Sequence, residues 1–273
     1  MFQYAFFKQM QHWHGKGNVK LDIDTYTWST HNGRELDKVF NLDLRSESVP
    51  ARVSLDLADV GYKVPHRILR RIRGRKHKSY RFWKDIDFEE YKDLHGDVYL
   101  EGFWNEERFF RDVKELVRDI YTIRADLSPR QEDILKDIET SESIGVHVRR
   151  GDYVKYPDLF PMCTPQFYMN ALHVVKEKYE DVRCFVFSDD LSWCKENLHF
   201  LDKVTFVQNK IGIQAYIDMM LMSKCKHNII ANSTFSWWAA WLNKHSQSIV
   251  VYPGSVQITY ASMPGSWILI SSK

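Results

Sequence analysis

The sequence predicts an α/β protein of two domains with a cleft between them, the second domain built on a parallel sheet. Three observations carry that prediction. Strand and helix patterns alternate with unusual regularity from Ile144 onward, the polar run Glu139 to Ser143 precedes that series, and polar clusters recur where its strands end. The series starts with the apolar run Ile144 to Val148, after which Gly151 gives the chain freedom to turn. Thr164-Pro165 supplies an N-cap and a proline at the first helical position. Tyr168, Ala171, Leu172, Val175 and Tyr179 then make one apolar face. Next come a strand at Val182 to Phe187, a short helix near Ser192 to Leu198, a strand at Val204 to Val207 and a helix at Ile213 to Ser223. The series closes with a strand at Asn228 to Ala231, an apolar helix at Thr234 to Asn243 and a strand at Ile249 to Tyr252.

The first half is less regular. Val19 to Asp24 and Val98 to Glu101 read as strands. Asn105 is expected to cap a helix with the apolar face Phe109, Val113, Leu116, Val117 and Ile120, and Ser128-Pro129 to start another. The boundary predicted from the polar run divides the chain into 1–142 and 143–273.

Bulk composition narrows the class without naming a function. With 273 residues, 44% hydrophobic and 14% aromatic, the chain can bury one large core or two modest ones. A formal net charge of +2 is too small to imply a polyanionic partner. No stretch approaches the roughly 18 consecutive apolar residues of a membrane span, and the first residues do not read as a signal peptide. Cys163, Cys184, Cys194 and Cys225 lack the close pairing of a zinc site, and reduced thiols in a cytoplasmic compartment are expected. No G-x-G-x-x-G fingerprint or Walker loop supports hydride transfer or ATP hydrolysis. From Gly61 to Lys84 there is no acid, while Arg67, Arg70, Arg71, Arg73, Arg75, Lys76, Lys78 and Arg81 crowd together. That patch reads as a solvated basic face, as a dock for anionic lipid head groups or, with no accompanying motif, as a nucleic-acid contact.

In such sheets ligands bind beyond the carboxyl ends of the strands, where the chemistry-bearing residues cluster. His147-Val-Arg-Arg-Gly-Asp-Tyr-Val154 puts two guanidinium groups at a strand end, a natural seat for a nucleotide diphosphate. Alternation places His147 and Arg149 on one face and Arg150 on the other. Arg149 is therefore expected on phosphate, with Arg150 bracing the turn or an acid such as Asp152; a surface salt-bridge cluster is the competing structural reading. Asn232, Ser233, Thr234 and Ser236 lie between a strand and a helix, where N–H groups and hydroxyls favour phosphate or simply cap the helix. Asp189 and Asp190 suit ribose or base contacts, or capping of the next helix. Asp218 suits a guanine edge, or an exposed turn. Trp237, Trp238 and Trp241 read as core rather than a sugar platform. Asp22-Ile-Asp24 and Asp85-Ile-Asp87 mimic a metal-binding acid pair, but a three-residue match is common by chance. Arg150-Gly151-Asp152 spells an adhesion tripeptide, which needs an exposed loop tip on a secreted protein.

HVRRGDYV at 147–154, FSDD at 187–190 and NSTFSWWAAWL at 232–242 together resemble the ordered motifs of the α-1,2-fucosyltransferases, glycosyltransferase family eleven. The resemblance implies a GT-B-like fold of two Rossmann-like domains, the first on the acceptor side and the second holding GDP-sugar. It implies an inverting, metal-independent enzyme with no cofactor beyond its donor, moving fucose from GDP-β-L-fucose to the 2-hydroxyl of a terminal galactose. It sets His147 and Asp218 near guanine or ribose, Arg149 on the β-phosphate, and Ser233, Thr234 and Ser236 around the diphosphate; Asp189, Asp190 and Asn232 complete the donor set. Arg149, Arg150 and Asp152 are the expected catalytic set. The base for the acceptor hydroxyl is left open between Asp152, Asp158 and the leaving phosphate itself.

Met1-Phe-Gln-Tyr-Ala5 looks like the tail of the family's opening G-G-L-G-N-Q-M-F-Q-Y-A segment. On that reading the first strand of the N-terminal domain is missing, and the chain is expected to be less stable and less active than a version extended upstream. A bacterial-type cytoplasmic enzyme of surface-polysaccharide synthesis is expected, with the basic patch against the inner leaflet and a galactose-terminated glycan or glycolipid as acceptor. The alternatives are a non-catalytic member that binds GDP or glycan, a metal-dependent transferase of another nucleotide sugar, and nucleic-acid binding through the patch.

Overall fold

A computed structural model describes residues 1–23, 36–40, 42–49, 80–208, 215–254 and 263–271. The chain divides into two compact units, Met1–Thr122 and Ile123–Lys273, so the helix Pro129–Thr140 is counted with the second.

The second unit is a six-stranded sheet. In chain order its strands are β3 (Ser143–Val148), β4 (Arg183–Ser188), β5 (Val204–Val207), β6 (His227–Ile229), β7 (Val250–Pro253) and β8 (Ile268–Ile270). Their order across the sheet is β5-β4-β3-β6-β7-β8, and every pair is parallel. β3 is buried along its whole length, which is why it reads as an unbroken apolar run rather than an alternating one. The α/β class is as the sequence pattern predicts, and the parallel sheets are consistent with the GT-B-like class. β8 went unnoticed in the sequence because Ile268 and Leu269 are exposed on an edge.

Several helices of this unit start at capping residues. α4 (Pro129–Thr140) has a capping box between Ser128 and Gln131. α5 (Pro165–Lys176) is capped by Thr164, which accepts a hydrogen bond from the Phe167 N–H, and buries Phe167, Tyr168, Ala171, Leu172 and Val175. α6 (Leu191–Asn197), α7 (Ala215–Lys224) and α8 (Thr234–Trp241) follow. Trp237, Trp238 and Trp241 are buried in α8, core side chains as the sequence suggests. Gly145 lets α7 press onto β3: a Cβ there would meet Asn228 Nδ2 at 2.9 Å and Met222 Cγ at 3.0 Å.

The first unit is built around α1 (Phe2–His14), whose Phe6 stacks on Trp104 at 4.5 Å between ring centroids and meets Tyr91 edge-on. α2 (Leu36–Val39) is a single turn, and β1 (Tyr80–Phe82) pairs in parallel with β2 (Tyr99–Glu101). Three expectations need correction. Over 19–23 the described backbone makes only the bridge Leu21 to Ser48, and Asp24 lies outside the described residues. Asn105 does not cap a helix; it is buried, and a 3-10 segment, Glu107–Val113, precedes α3 (Lys114–Ile120). Phe110 leaves helical geometry (φ −144°, ψ 24°), which resets the phase of the turns after it and leaves Leu116 47% exposed. The basic stretch 61–84 lies outside the described residues apart from 80–84.

Candidate functional site

The register of the sheet assembles the site. Val148 lies opposite Ser188, so the residues that follow, Arg149-Arg150 and Asp189-Asp190, leave adjacent strands side by side at their carboxyl ends. The Arg150 N–H donates to Asp189 Oδ1 (2.9 Å), and Arg149 Nη1 lies 2.8 Å from Asp189 Oδ2, an ion-pair contact without an aligned N–H. Arg149 Nη2 donates to Asp152 Oδ1 at 2.5 Å. Arg150 Nε donates to Asp190 Oδ2 (3.1 Å), while Asp190 Oδ1 accepts from the Trp193 N–H and so caps α6. The Arg150 guanidinium lies over the Trp193 ring at 4.3 Å, with Nη1 3.8 Å from Met162 Sδ. The bracing role expected of Arg150 thus runs to Asp190, and the acid suggested for it, Asp152, pairs with Arg149. The reason is parity: Arg150 leaves the strand on the side of α6, Arg149 on the side of the turn.

Gly151 is required by close approach. A Cβ on it would lie 2.5 Å from Asp189 Oδ2, so the turn and the carboxylate fit together only without a side chain.

A second strand end joins this cluster through Tyr153. Its hydroxyl donates to the Asn232 carbonyl (2.8 Å), its ring stacks on Phe160 (4.8 Å), and the Arg149 guanidinium lies 5.5 Å from its centroid. Asn232 is buried at the end of β6, and Ser233 caps α8 by accepting from the Phe235 N–H (3.3 Å). Ser236 is fully buried, its hydroxyl within reach of the Ala231 (3.3 Å) and Ser233 (3.2 Å) carbonyls, so it stabilises the turn from within. Thr234 is exposed. The first turn of α8 leaves N–H groups without helical partners, and the helix dipole adds positive potential there.

His147 lines the same region. Its ring packs against Phe235 (5.2 Å between centroids) and is 6% exposed, and its Nδ1 has no hydrogen-bond partner among the described residues. Burial, with Arg149 adding to it, holds its pKa down to about 3, so the imidazole is neutral. Asp218 is half-buried in the first turn of α7, a helix packed on β3 and β4. Asp158 is exposed. Tyr153, Trp193 and Met162 were not singled out in the sequence. Only Trp193 left a signal, standing three residues after a capping aspartate.

All four cysteines are free and buried. Burial pushes Cys163 and Cys184 up to about 12 and Cys194 to about 11, which removes them as nucleophiles. Among the described residues no three His, Cys, Asp or Glu side chains converge on a common point, and no helix is long and apolar enough to cross a membrane. The cluster gathers two guanidiniums, the three carboxylates paired with them, a helix N-terminus and a buried neutral imidazole at neighbouring strand ends.

Known proteins are similar to this chain. Residues 49–259 match glycosyl transferase family 11. An alpha-1,2-colitosyltransferase of Escherichia coli is 33% identical over 93% of this chain and 87% of its own length. The O-antigen biosynthesis glycosyltransferase WbnK of Escherichia coli is 35% identical over 51% of this chain and 49% of its own. Galactoside alpha-(1,2)-fucosyltransferase 1 of Leontocebus fuscicollis is 28% identical over 59% of this chain and 48% of its own, so each of these last two matches spans about half of the relative.

Proposed function

Because the chain belongs to glycosyl transferase family 11, we propose that it moves L-fucose from GDP-β-L-fucose, with inversion, to the 2-hydroxyl of a terminal galactose in a glycan or surface polysaccharide. The observation that carries this reading is the junction of the Arg149 strand end with the N-terminus of α8, joined by the hydrogen bond from Tyr153 to Asn232. The helix N-terminus contributes positive potential and Arg149 a guanidinium, the two kinds of group that a leaving nucleoside diphosphate requires.

In this reading Arg149 takes the β-phosphate, Thr234 and the first-turn N–H groups of α8 take the remaining phosphate oxygens, and His147 offers its unpartnered nitrogen to guanine or ribose. Ser233 and Ser236 shape the turn, Arg150 and Asp190 anchor it, and Asp189 orients Arg149. Asp218 is assigned to guanine or ribose. Breaking the anomeric bond transfers charge to the diphosphate, so donors already aimed at that charge stabilise the transition state more than the ground state. Asp152, beside Arg149, is the candidate base for the acceptor hydroxyl. No metal is required in this scheme, since the guanidinium supplies the positive charge. The enzyme is proposed to work in the cytoplasm, with the basic stretch 61–84 touching anionic lipid near a glycolipid acceptor.

A second reading is favoured by the 33% identity to a colitosyltransferase across most of the chain: a donor whose sugar lacks the 3-hydroxyl of fucose. Purified protein offered GDP-fucose or GDP-colitose with N-acetyllactosamine, followed by NMR of the product linkage, separates the two. Fucose on the galactose 2-hydroxyl supports the proposal. Colitose transfer alone replaces the donor, and transfer to another hydroxyl overturns the acceptor assignment.

A further inference from the structure

Resting on the nucleoside-diphosphate reading of this site, we infer that Asp152 is a stand-in for the donor's phosphate, holding Arg149 in the structure and displaced from it when a nucleoside diphosphate binds. Both terminal nitrogens of Arg149 lie against carboxylates: Nη2 donates to Asp152 Oδ1 (2.5 Å), and Nη1 is 2.8 Å from Asp189 Oδ2 in an ion-pair contact. A guanidinium grips phosphate through two parallel N–H donors, and a phosphate on the Nη2–H that now binds Asp152 takes that carboxylate's place.

The two acids are not equally free to do so. Asp189 is 14% exposed, its Oδ1 is fixed by the Arg150 N–H at 2.9 Å, and its Oδ2 rests against Gly151 where no Cβ intervenes. Asp152 is 49% exposed, and Arg149 is its one side-chain partner among the described residues. It sits on the four-residue 3-10 segment Asp152–Lys155, which buries no side chain. Val154 within it, and Tyr156 and Leu159 just beyond, are each 48% exposed or more. Tyr153 anchors the segment through Asn232 and Phe160, so the exchange needs only the exposed Asp152 side chain to turn away. Charge points the same way: two guanidiniums, Arg149 and Arg150, face three carboxylates, Asp152, Asp189 and Asp190, so an incoming diphosphate meets a formal excess of negative charge until Asp152 moves aside.

The exchange has a measurable signature. Removing the Asp152 charge eliminates the competitor for Arg149, and GDP affinity rises by about fivefold, the scale of a half-exposed ion pair. Guanosine carries no phosphate, so its binding is unchanged. The experiment is calorimetric titration of GDP and of guanosine into wild type, Asp152→Asn, Asp152→Ala and Arg149→Ala, each first shown by thermal melting to be folded. Tighter GDP binding in both Asp152 variants with unchanged guanosine binding is the expected result. Equal or weaker GDP binding in a folded Asp152 variant overturns the exchange, as does a gain that guanosine shares. GDP binding that Arg149→Ala leaves intact refutes the underlying reading of the site instead, and so is told apart from failure of the exchange alone.

Discussion

Replacing His147 with glutamine should flatten the acid limb of the stability curve. The imidazole is buried against Phe235 with Nδ1 unpartnered, and its pKa is about 3 in the folded protein against 6.5 for the free group. A folded pKa below the unfolded one means that the unfolded chain binds more protons between those two values. The full contribution is therefore present above pH 6.5, and stability falls as the pH drops toward 3. At pH 5 the unfolded imidazole is about 1.5 units past its midpoint while the folded one is still neutral. At about 1.36 kcal/mol per unit this removes about 2 kcal/mol. The assay is urea unfolding followed by tryptophan fluorescence at pH 7.5 and pH 5 for wild type and His147→Gln. Any packing defect of the variant is the same at both pH values, and other titrating groups are shared, so both cancel in the difference. Wild type should lose about 2 kcal/mol more than the variant between the two pH values. Equal losses would refute the claim that the fold holds this histidine neutral.

Three further substitutions probe the frame of the site. Gly151→Ala puts a Cβ 2.5 Å from Asp189 Oδ2, forcing that carboxylate off the Arg150 N–H at a cost of about 1–3 kcal/mol; an unchanged melting temperature would contradict the close fit. Tyr153→Phe keeps the stack on Phe160 but loses the bond to the Asn232 carbonyl. It should raise the donor KM with a stability loss of about 1 kcal/mol, and an unaltered KM would mean that the two strand ends are not coupled through it. Ser128→Ala breaks the capping box of α4 and should cost about 1 kcal/mol in chemical denaturation without altering donor KM; a change in KM would tie α4 to the site.

The parts of the fold legible in the sequence were those set by local chemistry. Thr164-Pro165 and Ser128-Pro129 mark helix starts through caps that the structure contains, and the buried run at Ile144 needs no long-range information to read as a strand. The parts that were not legible depend on contacts between distant residues. α1 went unremarked because its aromatic residues Phe2, Tyr4 and Phe6 are buried against rings from Tyr91 to Tyr121, so one amphipathic stripe does not describe it. The break at Phe110 turned a predicted face at Leu116 to solvent. At the site, the motifs identified Arg149, Arg150, Asp152, Asp189 and Asp190. The pairing of the arginines with Asp189 and Asp190 follows from the β3 to β4 register, which is a property of the sheet rather than of either motif.

The most direct test of the central claim is transfer of labelled fucose from GDP-fucose to lactose or N-acetyllactosamine in the presence of EDTA, comparing wild type with Arg149→Ala. The account predicts that wild-type transfer survives chelation and that the variant loses a factor of at least about one hundred, the scale of removing one donor from a developing anion. Transfer that stops on chelation and returns with a divalent cation, or an Arg149→Ala variant as fast as wild type, would contradict it.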